Sequence, residues 1–274
     1  MNKMKIIQTG YKFLLFISLT GFVSCTDSTT EDTTTVGSTE DSLFTSIPET
    51  KFTGIYDTLG CTFLVNTISK EQYESISPLV PIDDSIRTAL CGDKEGGCME
   101  TMEKYYLSKV SGKAKRTGND LMLILSNGQT KVLKNNTKED DDYEVYQFLT
   151  LDANGYYIVA VFYFESYAYL LINPVNGSAT RTIGYPVVSP DKKQYVAGNY
   201  DMVAAFTFNG IDFLSITKDS VFSNVMIDFM TWGPEELKWK DDSTLYIKQK
   251  SQIGEELKEE NNFAALRIRK KSGI

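Results

Sequence analysis

The chain has 274 residues, with 28 Lys and Arg against 36 Asp and Glu, and its 16 Tyr and 15 Phe make it far too aromatic for a self-solvating polymer. It contains no histidine, which excludes Ser-His-Asp and Cys-His catalysis, histidine-ligated zinc and haem, and any imidazole pH switch. A formal net charge of −8 argues against nucleic acid and anionic surfaces as partners.

At the N-terminus, Lys3, Lys5 and Lys12 lead into an apolar run, Phe13 to Val23. That run is short of the roughly 20 apolar residues a bilayer span needs. Positive start, short apolar middle and small residue before a cleavage point predict a secretory signal peptide over residues 1–24. Phe22-Val23-Ser24-Cys25 resembles the lipobox of bacterial lipoproteins, with Phe22 where that family favours Leu. The resemblance implies cleavage before Cys25, lipidation of its thiol and attachment to a membrane through acyl chains such as palmitate. An ordinary signal peptide with an incidental cysteine is the alternative. Thr26, rather than Asp, follows the cysteine, which in those families implies sorting to the outer membrane, on its periplasmic or its exposed side.

Residues 25–50 read as a tether. Thr26 to Ser42 holds ten Ser or Thr and five Asp or Glu, too little apolar surface to offset the entropy of ordering. The globular part is expected over 51–274. Outside the cytoplasm a disulfide is permitted. Cys91-Gly-Asp-Lys-Glu-Gly-Gly-Cys98 supplies the natural pair, Cys91 and Cys98, because its glycines let a tight loop close. Pairing through Cys61, or three reduced thiols, are the alternatives. Three cysteines without histidine or a CxxC spacing are a poor metal set, so no metal is expected.

Strand signals dominate the remainder of the chain. Met99 to Val110 fits a helix and a strand almost equally well. Tyr156 to Phe164 is an unbroken apolar run rich in aromatic and β-branched residues, and Tyr167 to Ile172 repeats the pattern. Asn127-Gly128, Asn176-Gly177 and Asn209-Gly210 each stand between apolar runs, the strongest short-range hairpin signal. Near the C-terminus Ala264, Leu266 and Ile268 alternate with Ala265, Arg267 and Arg269, as in a half-buried strand.

A faint repeat runs through residues 143–250. Asn154, Asp191 and Asp242 each sit in a polar turn that leads into an apolar strand, at a spacing near that of a four-stranded propeller blade. Ser189-Pro190-Asp191-Lys192-Lys193 resembles the turn of TolB-like and WD40-like β-propeller repeats, and the chain is similar to uncharacterised secreted bacterial families bearing that turn. The resemblance implies a mainly β fold of antiparallel four-stranded units, propeller-like, incomplete or with degenerate N-terminal blades. Trp232-Gly233-Pro234 suits a connection between blades. An irregular β-sandwich with recurring hairpins is the alternative.

Chemistry is scarce. Ser189 to Lys192 and Ser215 to Lys218 match Ser-x-x-Lys, but in a turn and at a strand end rather than at a helix N-terminus. Glu139-Asp140-Asp141-Asp142 lacks the alternation and the glycine of a calcium loop. No phosphate-binding or dinucleotide fingerprint occurs, and no cofactor is expected. The aromatic run has two readings: core packing, or an outward platform joined by Trp232 or Trp239 for a protein or glycan partner. The expectation is a lipid-anchored envelope protein acting as a non-catalytic binding module. The alternatives are a subunit of an outer-membrane assembly and a carboxylate-dependent hydrolase such as a glycosidase.

Overall fold

The computed structural model describes residues 52–58, 60–77, 84–92, 98–138, 142–253 and 258–271. The expected signal peptide (residues 1–24), Cys25 and the expected tether (25–50) therefore lie outside the described residues, as do Glu139, Asp140 and Asp141. The described chain begins with an antiparallel hairpin, β1 (Gly54–Asp57) and β2 (Cys61–Thr67). Three helices come next: α1 (Lys70–Glu74), α2 (Asp84–Cys91) and α3 (Met99–Ser108). Ser69 and Gln72 cap α1 reciprocally, each side chain accepting from the other's backbone N–H. The ambiguous stretch at Met99 is thus helical. Met102, Glu103 and Tyr106 lie three and four apart on its buried face, which settles the period.

Four antiparallel sheets make up the rest, and the protein is mainly β. The first holds β3 (Ala114–Thr117), β4 (Asp120–Ile124) and β5 (Thr130–Lys134). The second holds β6 (Val145–Leu151), β7 (Tyr157–Phe162), β8 (Tyr167–Ile172) and β9 (Ala179–Thr182), paired in that order. The third runs β10 (Val187–Val188), β11 (Gln194–Asn199), β12 (Gly210–Ile216) and β13 (Val221–Asp228), again in chain order. The fourth joins β14 (Gly233–Asp241), β15 (Thr244–Ile253) and β16 (Lys258–Lys270) to the opening hairpin, in the order β1-β2-β16-β15-β14. Its β2–β16 register, Cys61 opposite Lys270 through Thr67 opposite Ala264, brings both ends of the described chain into one sheet. Residues 51–142, which show no repeat in sequence, thus supply two strands of the fourth sheet, the helices and the three-stranded first sheet.

Successive sheets share cores. Leu121 and Leu123 of the first, Phe148, Ile158 and Leu171 of the second, and Tyr195 and Leu214 of the third form one cluster. Ile211, Phe213 and Ile227 of the third meet Leu237, Trp239 and Leu245 of the fourth in another. Strand periodicity explains the division: along β12, Ile211 and Phe213 point one way, and Asp212 and Leu214 the other. Each fully buried aliphatic or aromatic side chain contributes roughly 1.5–3 kcal/mol, so these shared faces hold the sheets together. Among the described residues no sheet closes into a barrel, and the succession is compatible with propeller-like stacking and with a layered sandwich. No described helix is long and apolar enough to cross a membrane.

The turns bearing Asn154, Asp191 and Asp242 lie side by side. The Asn154 side-chain amide donates to the Lys192 carbonyl at 3.4 Å, and the Lys192 ammonium to the Ala153 carbonyl at 3.2 Å. The Asp191 N–H donates to the Asp242 carboxylate at 2.8 Å, and the Gln194 amide to the Asp242 carbonyl at 3.0 Å.

Two of the three Asn-Gly pairs turn hairpins, with Gly128 at φ 82° and Gly177 at φ 70°. Asn209-Gly210 does not, because residues 206–208 are not a strand. Gly210 opens β12 where a Cβ would stand 2.0 Å from the Ile227 carbonyl oxygen. Asn209 instead donates its amide to the carbonyls of Phe229 and Trp232, at 2.9 Å for the latter. That asparagine-glycine pair answers a need for close backbone approach rather than for a tight turn.

Candidate functional site

Of the residues singled out in sequence, Cys91 ends α2 and Cys98 precedes α3, and the two are joined in a disulfide with Cα atoms 5.5 Å apart. Cys61 opens β2, half-buried. The proposed ligand-facing rings require correction. Trp232 is 1% exposed and stacked on Phe229 at 3.8 Å, and Trp239 is 3% exposed with its indole N–H donating to the Val187 carbonyl at 3.0 Å. Both are core residues, buried where the fourth sheet meets the third. Most of the aromatic run likewise fills core, since β7 is buried along both faces from Tyr157 to Val161, while its end is open, Phe164 being 66% exposed. Ser189 and Lys192 serve their turn: the Ser189 hydroxyl donates to Asp191 at 2.7 Å, and Lys192 has φ 62°.

Among the described residues, two concave regions have a buried carboxylate in their lining. The larger, about 780 Å³, lies among α3, β3 and β6 and is lined in part by Met99, Glu103, Leu107, Arg116 and Tyr146. At its base Arg116 grips Glu103 in a fork, Nε to Oε2 at 2.8 Å and Nη2 to Oε1 at 2.6 Å. Glu103 also accepts from the buried Phe148 N–H at 2.8 Å, and Arg116 donates to the Tyr146 carbonyl. This charge pair ties the helix to two sheets, so its hydrogen-bonding capacity is engaged within the fold.

The smaller region is a groove of about 370 Å³ between the second and third sheets. Ala168, Thr182 and Asp212 form its floor, each almost fully buried, and Asp212 is only 3% exposed. Its lip is apolar and open: Tyr167 is 42% exposed, Met226 47% and Phe206 63%. Register places the polar floor beneath the apolar lip, because Asp212 pairs across β12–β13 with Met226 and across β11–β12 with Ala197.

Phe206 is held out by a heavily bonded loop. The Asp201 carboxylate accepts from the Ala205 N–H at 2.9 Å and from the Thr207 N–H and hydroxyl at 2.7 Å each. Burial pushes the Asp201 carboxyl up, but these hydrogen bonds outweigh it and hold it below its ordinary value. Asn199 joins loop to wall, accepting from the Tyr167 hydroxyl at 3.0 Å and donating to the Thr207 hydroxyl at 2.7 Å and the Phe208 carbonyl at 2.9 Å. The apolar lip is therefore preorganised.

Asp212 is differently placed. The Ser223 hydroxyl donates to its Oδ1 at 2.6 Å, and among the described residues no cation lies within 4 Å of it. Burial raises its pKa above the ordinary 3.8, against the opposing pull of that single hydrogen bond. Arg181 lines the same groove, but its guanidinium sits over the Tyr163 ring at 4.8 Å. Asp212 is the one carboxylate among the lining residues, whereas carboxylate-dependent glycoside hydrolysis uses two. Among the described residues no group of three or more Cys, Asp or Glu is placed to hold a metal.

Reading the sequence alone misses this groove. Its one signal is Asp212 inside the apolar run Ile211 to Ile216, a charged residue where a doubly covered strand has none. No known protein family, curated protein or solved structure matches this chain.

Proposed function

We propose that this protein is a lipid-anchored component of a bacterial envelope, attached through Cys25, whose β domain acts by binding rather than catalysis. The observation that carries the binding reading is the groove between the second and third sheets, where exposed Tyr167, Phe206 and Met226 surround one buried carboxylate. Pockets that hold small ligands combine an apolar lining with a few polar groups placed to orient the guest, and this groove has that composition. The lipobox-like Phe22-Val23-Ser24-Cys25 and the polar stretch after it support the anchor.

Palmitate labelling of the full chain, compared with Cys25→Ala, tests the anchor; the variant is expected to lose the label, and equal labelling contradicts it. Titration with an apolar fluorescent probe tests the groove. Phe206→Ser combined with Met226→Ser is expected to abolish most of the probe signal without lowering the melting temperature. An unchanged signal places binding elsewhere.

A further inference from the structure

We infer that the groove at Asp212 binds an organic cation, a primary ammonium on an aliphatic stem, with the ammonium on the Asp212 carboxylate and the stem against Tyr167, Phe206 and Met226. This inference rests on the binding reading above and names the chemical class of ligand.

Asp212 supplies the first argument. A carboxylate taken out of water demands hydrogen bonds and a counter-charge, and within the described chain it has the Ser223 hydroxyl at 2.6 Å and no cation. The groove opens onto this carboxylate, so a ligand can bring the paired charge that no described residue supplies. The larger cleft is built differently. There the buried Glu103 is matched within the fold by Arg116 at 2.6 Å, whereas Asp212 is left without a counterpart.

The walls supply the second argument. Tyr167, Phe206, Phe208 and Met226 line the approach, and aromatic faces attract cations while the methionine accommodates an aliphatic stem. A neutral apolar guest would bury Asp212 further without pairing it, and an anion seated there would meet the Asp212 charge, since the Arg181 guanidinium of the same groove is turned over the Tyr163 ring at 4.8 Å. The volume, about 370 Å³, suits a small amine or one long basic side chain rather than an oligomer. The chain's net charge of −8 raises the local concentration of cations in its own right.

Two sources share this chemistry: a free aliphatic amine and the lysine side chain of a partner protein. Calorimetry with the folded protein tests the inference, using hexylammonium against hexanol, then an acetylated Ala-Lys-Ala amide against the same peptide acetylated on its lysine. Hexylammonium is expected to bind about ten- to a hundredfold more tightly than hexanol, the range of a charge-assisted hydrogen bond. Asp212→Asn is expected to bring hexylammonium down to the level of hexanol. Phe206→Ser, at an exposed position that folding does not depend on, is expected to weaken both. Tighter binding of the lysine peptide than of hexylammonium assigns the source to a protein, and the reverse to a small amine; either supports the inference. Equal binding of hexylammonium and hexanol overturns the cation while leaving the groove as a binding site. Retention of hexylammonium affinity by Asp212→Asn also overturns it. Failure of both hexyl compounds and of the apolar probe overturns this inference and the binding reading together. Should Asp212→Asn not fold, the hexylammonium–hexanol difference in the unaltered protein decides alone.

Discussion

Glu103→Ala should be among the most damaging single changes to this protein. The carboxylate accepts two hydrogen bonds from the Arg116 guanidinium, at 2.6 and 2.8 Å, and a third from the Phe148 N–H at 2.8 Å. Its removal leaves the guanidinium with the Tyr146 carbonyl and two long contacts, to the Asn119 carbonyl at 3.4 Å and to Asn135 at 3.5 Å. It also orphans the N–H of Phe148, itself a fully buried residue of β6. Breaking a buried pair by deleting one partner costs about 3–5 kcal/mol. For a domain of this size that corresponds to a melting temperature lower by on the order of 10 °C. Glu103→Leu combined with Arg116→Met removes both charges and is expected to be markedly less damaging than Glu103→Ala, because no charge is stranded. Urea unfolding of the single and double variants measures both effects. A single variant within about 1 kcal/mol of the parent, or a double variant as destabilised as Glu103→Ala, refutes the reasoning.

Three other outcomes are expected. Burial raises the Asp212 pKa, so the folded state holds that proton more tightly than the unfolded state, and stability falls as pH climbs from 3.8 through the raised value. Asp212→Asn is therefore expected to gain stability relative to the parent between about pH 4 and about pH 7, and urea unfolding with the same difference at both contradicts this. Reducing the Cys91–Cys98 disulfide, which closes a short loop, is expected to lower stability by about 2.5 kcal/mol in the chain-entropy model, read as a shifted urea midpoint in dithiothreitol; an unshifted midpoint counts against it. Gly210→Ala drives a Cβ to 2.0 Å from the Ile227 carbonyl and is expected to cost about 1–3 kcal/mol, whereas a neutral result in the same assay removes the close-approach explanation.

Local patterning made much of the fold legible. The apolar run from Tyr167 to Ile172 is β8 residue for residue, and that from Tyr156 to Phe164 contains β7. Asn127-Gly128 and Asn176-Gly177 mark true hairpins, whose turns need positive φ at Gly128 and Gly177. Asn209-Gly210 carries the same letters for a long-range reason, the approach of Ile227, which no local pattern reports. Tertiary pairing also hid the role of the first strands, since β2 joins β16 across almost the whole described chain. Trp232 and Trp239 looked available for a ligand because composition carries no information on which face of a sheet is covered. The groove was less legible still. Tyr167, Phe206, Asp212 and Met226 come from β8, a loop, β12 and β13, and they meet only when the second and third sheets face each other.

Methionine-methyl NMR on the folded domain tests the central claim most directly, because Met226 lines the groove, Met99 lines the larger cleft and Met102 is buried in the core. Addition of hexylammonium is predicted to shift the Met226 methyl while Met99 and Met102 stay in place. Movement of Met99 with Met226 unmoved would contradict the account, transferring ligand binding to the cleft beneath α3.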